Sequence, residues 1–151
     1  MEASIRDRVT LTGHTRTMIV ATLALSCAPL PDPVPLAQPC TVTDGDTIRC
    51  GEERIRLLAI DAPEIAGRCR KGRACVAGDP VASTASLRLA MEKGPLSIIR
   101  IGQDRYGRTL ADVWAGDTSL SCHQLATGHA EYVKRWDNKH AVARHCAAAG
   151  G

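Results

Sequence analysis

Acidic and basic side chains are concentrated in one stretch of 22 residues, Thr43–Glu64, with the sequence TDGDTIRCGEERIRLLAIDAPE. It contains three aspartates, three glutamates and three arginines among isoleucines and leucines. Carboxylates are the oxygen ligands that hard cations such as calcium prefer, and arginines bind phosphate through paired hydrogen bonds. This composition indicates either a cation site beside phosphate-binding arginines or a solvated sheet edge with surface ion pairs.

Turn signals divide this stretch into strands. Asp44-Gly45 is a hairpin dipeptide, and a second turn is predicted near Glu52-Glu53. If the flanking strands Asp46–Cys50 and Arg54–Ile60 pair antiparallel, Asp46 lies opposite Ala59. The same end of the sheet then also carries Asp61.

A proline sets the end of the last of these strands. The strand must stop at Ala62-Pro63, because proline cannot donate to a strand ladder and restricts the residue before it. Asp46, Asp61 and Glu64 are therefore predicted to converge on one rim. Arg56 alternates with apolar neighbours, so we expect its side chain outside the core, one strand length from that rim.

The remaining chain predicts short strands and helices around this stretch. Asp79-Pro80 is a capping pair that starts a helix, and Gly94 ends it. The other predicted elements are strands Thr41–Thr43, Leu96–Ile101 and Thr109–Trp114 and helices Ser119–Thr127 and Asp137–Ala148. Ile65–Gly78 carries four basic residues and is either a solvated loop or a flap that attracts polyphosphate.

Three motifs in series carry a resemblance to a known family. They are DGDT at Asp44–Thr47, RIRLLAIDAPE at Arg54–Glu64 and DRYGR at Asp104–Arg108. In order, spacing and residue type they resemble the staphylococcal nuclease (thermonuclease) family, from about Cys40 to Glu131. The resemblance implies an α+β fold, a five-stranded oligonucleotide-binding (OB-fold) Greek-key β-barrel with about three helices.

The resemblance also implies roles for individual residues. Asp46 and Asp61 match the family's carboxylate ligands for calcium, and Ala62 stands where the family has a threonine that contributes its backbone carbonyl. Arg56 and Arg108 match the arginines that hold the phosphate. Glu64 matches the glutamate that orients or deprotonates the attacking water, and Asp44 matches an acid beside the metal ligands. Tyr106 and Tyr132 are weaker candidates for substrate contacts. Tyr132 lies near the position where the family has aromatic residues beside the nucleotide, but its spacing does not align cleanly with that position. The family's longer final helix with a terminal tryptophan is absent.

These correspondences predict a calcium-dependent endonuclease. It would hydrolyse phosphodiester bonds in single-stranded or locally melted DNA and RNA, with low sequence specificity, and leave 3′-phosphate ends. The alternative is a non-catalytic nucleic-acid-binding module of the same family, which would have lost one or more of Asp46, Arg56, Asp61, Glu64 and Arg108. All five are present, which favours the enzyme over that alternative and over a structural module with a vestigial motif. No protein partner is implied, and we expect a monomer.

Length and composition limit the domain to a small aliphatic core. The 151 residues allow one domain, and they include no phenylalanine and only 3% aromatic residues. The core must therefore be built from Ala, Val, Ile and Leu, and few rings are present for stacking on bases. The net charge of +3 permits a polyanionic partner without requiring one.

The N-terminal region predicts export. Residues 1–26 combine arginines with the short apolar run Met18–Leu25 and are predicted to be a signal peptide, with Met18 as an alternative start. Cys27 directly follows, so a lipoprotein signal that tethers the protein to a membrane is the alternative to a secreted or periplasmic form. Residues 27–39 are predicted to be a proline-rich linker, and residues 40–149 the nuclease-like domain.

Six cysteines follow Cys27, an even set that predicts disulfides in an exported domain. They are Cys40, Cys50, Cys69, Cys75, Cys122 and Cys146. Six cysteines allow 15 pairings, and the sequence suggests pairing neighbours along the chain. The competing interpretation is a zinc site at Cys122-His123 and His145-Cys146, against which no C-x2-C pair is present.

Overall fold

The computed structural model describes residues 30–69 and 71–147. The predicted signal peptide and Cys27 lie outside these residues. The described chain forms nine strands and two α-helices, an α+β architecture. In chain order they are β1 (Val34–Pro35), β2 (Cys40–Asp44), β3 (Thr47–Cys50), β4 (Glu53–Leu57), β5 (Ile60–Asp61), α1 (Pro80–Met91), β6 (Leu96–Gln103), β7 (Thr109–Ala115), β8 (Thr118–Ser119), α2 (Leu120–Ala126) and β9 (Glu131–Tyr132).

The register of β3 and β4 differs from the prediction by two residues. Cys50 pairs with Glu53 across a two-residue turn, and Gly51 adopts the positive φ of 57° that such turns favour. The turn is thus centred one residue earlier than predicted. As a result Asp46 comes level with Leu57, whose backbone N–H donates to the Asp46 carbonyl at 2.8 Å.

One mixed sheet carries most of the strands, in the order β1-β6-β7-β4-β3-β2, with β8 added beside β7. Strands β4 and β7 are parallel, and the other pairs are antiparallel. Within the described residues β1 and β2 remain as separate edges, so the sheet is not the closed barrel that the resemblance implied. The reason lies after Leu57: the chain turns away, and β5 pairs with β9 in a second small sheet.

Part of the predicted linker joins this sheet. Val34 and Pro35 pair with Ser97 and Ile98 of β6, and the Leu36 N–H donates to the Leu96 carbonyl at 2.9 Å. Proline is tolerated here because β1 is an edge strand.

The two α-helices begin where capping residues predict. Asp79 accepts hydrogen bonds from the N–H groups of Val81 and Ala82, and Ser119 accepts one from Cys122. Neither helix among the described residues is long and apolar enough to cross a membrane.

The predicted final helix at Asp137–Ala148 is wrong for the described residues. Short 3-10 turns form at Lys134–Trp136 and Asn138–His140 instead, and Lys139 and His140 have positive φ angles of 61° and 52°. Buried Asp137 accepts from Val142 N at 3.0 Å, so its carboxylate holds this segment as a compact turn and not as a helix cap.

The core is aliphatic, as the composition predicted. Its larger cluster contains isoleucines and leucines from the strands and from the helices: Ile48, Ile55, Leu57, Ile60, Leu87, Ile98 and Leu120. Three disulfides reinforce it, Cys40–Cys50 across β2 and β3, Cys69–Cys75 in the basic loop, and Cys122–Cys146 between α2 and the C-terminal turn.

A buried carboxylate ties the C-terminal segment to β7. Asp112 is fully buried and accepts from the Trp114 indole at 2.9 Å and from the Ser119 hydroxyl at 3.0 Å. His145 Nε2 lies 3.2 Å from the same carboxylate. This hydrogen bond raises the pKa of His145 above its ordinary value, with smaller help from the charge of Asp137 and against the effect of burial.

This raised pKa makes stability depend on pH. Protonated His145 should contribute its full share to the free energy of unfolding below the pKa of an unfolded histidine, about 6.5. That share should disappear as pH rises through the higher folded-state pKa. We therefore expect His145→Gln to cost more stability at about pH 5.5 than at about pH 8.5, as measured by urea unfolding. An equal cost at both pH values would contradict an ion pair with Asp112.

Candidate active site

Arg56 lies between the two aspartates that the sequence singled out. Its Nη1 donates to Asp46 Oδ1, its Nη2 donates to Asp61 Oδ1 at 2.9 Å, and Nη2 also reaches the Ile60 carbonyl at 3.3 Å. Arg56, Asp46 and Asp61 are only 8%, 3% and 6% exposed. The prediction that Arg56 stands outside the core, a strand length from the rim, is therefore not what the structure shows.

The chain reaches this geometry through a strained turn. Between β4 and β5, Ala59 has a φ of 62°, a conformation that costs a non-glycine residue roughly 1–2 kcal/mol. Its carbonyl accepts from Val133 N at 2.8 Å, and the β5–β9 pairing continues from there. The turn interrupts the single strand predicted at 54–60 and brings Asp61 back beside Arg56.

Asp46 is held by several donors. Besides Arg56, its carboxylate accepts from the Ala62 N–H at 2.9 Å and from the Thr47 hydroxyl at 3.0 Å. Burial raises the pKa of Asp46 to about 7, and the Arg56 guanidinium opposes this increase. Asp44, the other acid of the motif, accepts from the Asp46 N–H at 3.4 Å and so stabilises the turn.

Gly45 allows the hairpin to pack closely against α1. A Cβ at this position would lie 2.0 Å from Ser83 Oγ and 2.8 Å from the Ala62 Cβ. The Gly45 carbonyl accepts from the buried Gln124 amide at 2.7 Å. The glycine of the motif is thus required by close approach of the helix to the site.

The oxygen atoms around Asp61 are suitable ligands for a hard divalent cation. The Asp46 and Asp61 carboxylates and the Ala62 carbonyl would supply only oxygen ligands, the kind that calcium prefers. A cationic group already lies against this set, since Arg73 Nη2 donates to Asp61 Oδ2 and Arg73 Nη1 lies 3.6 Å from Glu64 Oε1. The position beside Asp61 is therefore suited to positive charge.

Arg108 approaches the same cleft from the turn between β6 and β7. Its guanidinium makes two contacts of 2.7 Å with Asp104 and lies 5.5 Å from the Tyr106 ring centroid. Backbone N–H groups of Arg108 and Tyr106 also donate to Asp104. Together with the guanidinium, these bonds lower the pKa of Asp104 even though burial acts in the opposite direction.

The cleft between these groups has a volume of about 840 Å³ and is strongly basic. Among the residues that the structure describes, its charged lining consists of seven arginines and two acids, namely Arg54, Arg56, Arg68, Arg73, Arg105, Arg108, Arg135, Glu64 and Asp104. Such a concentration of guanidinium groups favours a polyanion over a neutral ligand.

The structure adds residues that the sequence did not single out for the site. Trp136 lines the cleft, with the Arg56 and Arg73 guanidinium carbons 5.6 and 5.9 Å from its ring centroid. Arg73 had only been counted as one charge of the basic loop. No spacing signal connects Trp136 with Arg56, because the chain folds back over 80 residues to bring them together.

Of the two tyrosines that are candidates for substrate contacts, only Tyr106 lines the cleft. Tyr106 is half exposed. Tyr132 pairs with Ile60 in β9, and its hydroxyl donates to Asp137 at 2.8 Å. Burial, with this hydrogen bond, raises the pKa of Tyr132 to about 12. Tyr132 thus supports the fold beneath the cleft, and Trp136 is the second aromatic residue that faces it.

Two cysteines of the alternative zinc site form a disulfide with each other. Cys122, His145 and Cys146 have ligand atoms within 4.8 Å of one another, but the two sulfurs are bonded to each other. Zinc binds thiolates, so the oxidised pair provides no sulfur ligand.

A comparison with models of protein families finds a match. The sequence model of a family described as staphylococcal nuclease homologue matches residues 54–149, more than half of the chain. The matched span includes Arg56, Asp61, Glu64 and Arg108, while Asp46 precedes it. A comparison with curated protein sequences finds no match.

Proposed function

Because this chain belongs to the staphylococcal nuclease family, we propose that it is a calcium-dependent nuclease that hydrolyses phosphodiester bonds in DNA and RNA with low sequence specificity. Family membership supports a nuclease-like or nucleic-acid-binding module. The observation that carries the enzymatic proposal is Arg56, which joins two buried aspartates at the edge of a cleft that also contains Glu64 and Arg108.

The proposed reaction divides its work among these residues. Arg56 and Arg108 bind the non-bridging oxygens of the phosphate and stabilise the charge that grows on them in the transition state. Glu64 orients the attacking water and accepts its proton. The water oxygen attacks phosphorus, the bond from phosphorus to the 5′ oxygen breaks, and that oxygen takes a proton from solvent and leaves as a 5′-hydroxyl, so the other product carries a 3′-phosphate, as in the family's chemistry.

Asp46, Asp61 and the Ala62 carbonyl would hold the cation. When bound, it supplies positive charge next to the phosphoryl oxygens. Family nucleases are typically metal-dependent, and we assign calcium because a sparse set of oxygen ligands tolerates irregular geometry better with calcium than with magnesium. The Ala62 side chain does not affect this assignment, since the ligand would be its backbone oxygen.

We expect the substrate to be bound mainly through its phosphates. Tyr106 and Trp136 provide two surfaces for stacking on bases, whereas seven arginines line the cleft. Binding should therefore weaken steeply with salt and discriminate little between sequences. The fold we propose is the oligonucleotide-binding fold of the family, with a sheet that is open rather than closed into a barrel in the described residues.

We propose that the protein works outside the cytoplasm as a monomer. Three disulfides in a small domain are typical of an oxidising compartment. Residues 1–26 would direct export, and Cys27 offers a lipid anchor as the alternative to a free form.

Cleavage of single-stranded DNA tests the enzymatic proposal. The oxidised protein should degrade the DNA with calcium, poorly with magnesium and not at all with excess chelator. DNA that is bound but never cleaved in calcium would indicate the non-catalytic binding module. Full activity in excess chelator would contradict the cation assignment.

A further inference from the structure

We propose that Arg73 sets the calcium concentration at which the site loads, because its guanidinium holds the cation position beside Asp61 until calcium displaces it. This inference rests on the proposed calcium site. It assigns to a residue of the basic loop a role in setting calcium affinity that the motif residues do not supply.

The first step is that both oxygens of Asp61 already accept from arginines. Oδ1 accepts from Arg56 at 2.9 Å, and Oδ2 accepts from Arg73. Arg73 also lies 3.6 Å from Glu64, so it neutralises two carboxylates of the site. A divalent cation that ligates Asp61 meets a positive charge at either oxygen, and like charges at such a distance repel strongly.

The second step is that Arg73, and not Arg56, can leave. The Arg56 side chain is 10% exposed and donates to three buried acceptors, on Asp46, Asp61 and the Ile60 carbonyl, so its departure would remove a hydrogen bond from each of them. The Arg73 side chain is 36% exposed and faces the basic cleft. Its guanidinium can therefore move into solvent, and the buried acceptor that it leaves is Asp61 Oδ2, where a bound cation would take its place.

The third step is that the loop keeps Arg73 close to the site. Arg73 belongs to the segment that the Cys69–Cys75 disulfide closes, with a sequence separation of 6 residues. Such a short closed loop limits how far the side chain can go. Trp136 gives the released guanidinium a neighbouring surface, since its ring centroid is 5.9 Å from the Arg73 guanidinium carbon. Arg73 therefore competes with calcium as a tethered cation.

Calcium binding measured by titration calorimetry, without nucleic acid, tests this competition. In the full oxidised chain, Arg73→Ala should bind calcium about tenfold more tightly than the native protein, the size of effect expected from two partly exposed ion pairs. Arg73→Lys should fall between them, because it keeps the charge but not the fork. Arg68→Ala is the matched control, since Arg68 lines the same cleft from the same loop, and its affinity should equal that of the native protein.

Thermal melting gives a second readout. In chelator, Arg73→Ala should melt at a lower temperature than the native protein. Saturating calcium should raise the melting temperature of Arg73→Ala by more than it raises that of the native protein. If native protein binds calcium and Arg73→Ala binds it equally or more weakly, or if Arg68→Ala tightens binding as much, the role of Arg73 is refuted while the calcium site stands. If neither native protein nor variants bind calcium, the proposed calcium site itself fails.

Discussion

Replacing Arg56 by alanine should lower turnover about 10³-fold or more, the loss typical of an arginine that stabilises phosphoryl-transfer charge. The structure adds a second consequence. Arg56 separates Asp46 from Asp61 in a buried site, so its removal leaves two carboxylates without their shared partner. Removing one member of a buried ion pair costs roughly 3–5 kcal/mol of stability. Calcium should recover part of this stability but little of the turnover.

Two further variants, Arg56→Lys and Arg54→Ala, distinguish the effect of Arg56 on turnover from its effect on stability. Arg56→Lys keeps a positive charge between the aspartates but cannot donate from two nitrogens to two partners in the same plane. It should therefore recover stability and still turn over slowly. Arg54→Ala, an exposed position two residues earlier in β4, is the control for lost charge in the cleft. Single-turnover cleavage of DNA at saturating calcium measures the chemistry. Near-native rates in Arg56→Ala would refute its catalytic role.

Glu64→Gln should lower turnover by about 10²-fold or more without raising the calcium concentration needed for half-maximal activity. The amide preserves shape but cannot accept the proton of the attacking water, and general bases commonly contribute factors of 10²–10⁴. The Glu64 side chain is 26% exposed and lines the cleft, where water can reach it.

Asp46→Asn provides the contrast for this prediction. It alters a proposed cation ligand that is almost fully buried, so excess calcium should restore part of its lost activity. The measurement is turnover against calcium concentration for both variants. If Glu64→Gln also recovers at high calcium, Glu64 is a cation ligand and its assignment to the water is wrong.

The motifs predicted which residues meet, but not how they meet. Asp46, Asp61 and Glu64 could be placed at one end of the sheet because a proline must end the strand before Glu64. The contact between Arg56 and both aspartates depends on the left-handed turn at Ala59. Sequence reasoning could not find that turn, because alanine is a poor indicator of positive φ. A strand predicted from the sequence therefore continues through Ala59, and this places Arg56 too far from the two aspartates.

Long-range contacts account for the other omissions. Arg73 reaches Asp61 from a loop without regular structure, and Trp136 reaches Arg56 from a 3-10 turn that had been predicted to precede a helix. Neither contact has a local periodicity that could reveal it. Helix starts at Asp79 and Ser119 were predictable for the opposite reason, because each cap bonds to residues within three positions.

The six cysteines of the described chain pair in consecutive order, first with second, third with fourth and fifth with sixth. Each bond closes within a segment of at most 24 residues' separation. A chain that is made from its N-terminus therefore presents each cysteine's correct partner before the next pair has been synthesised. Oxidation in step with synthesis would reach the native connectivity with little competition from the other 14 arrangements that six cysteines allow. This order makes covalent maturation a vectorial process that does not have to wait for the complete sheet.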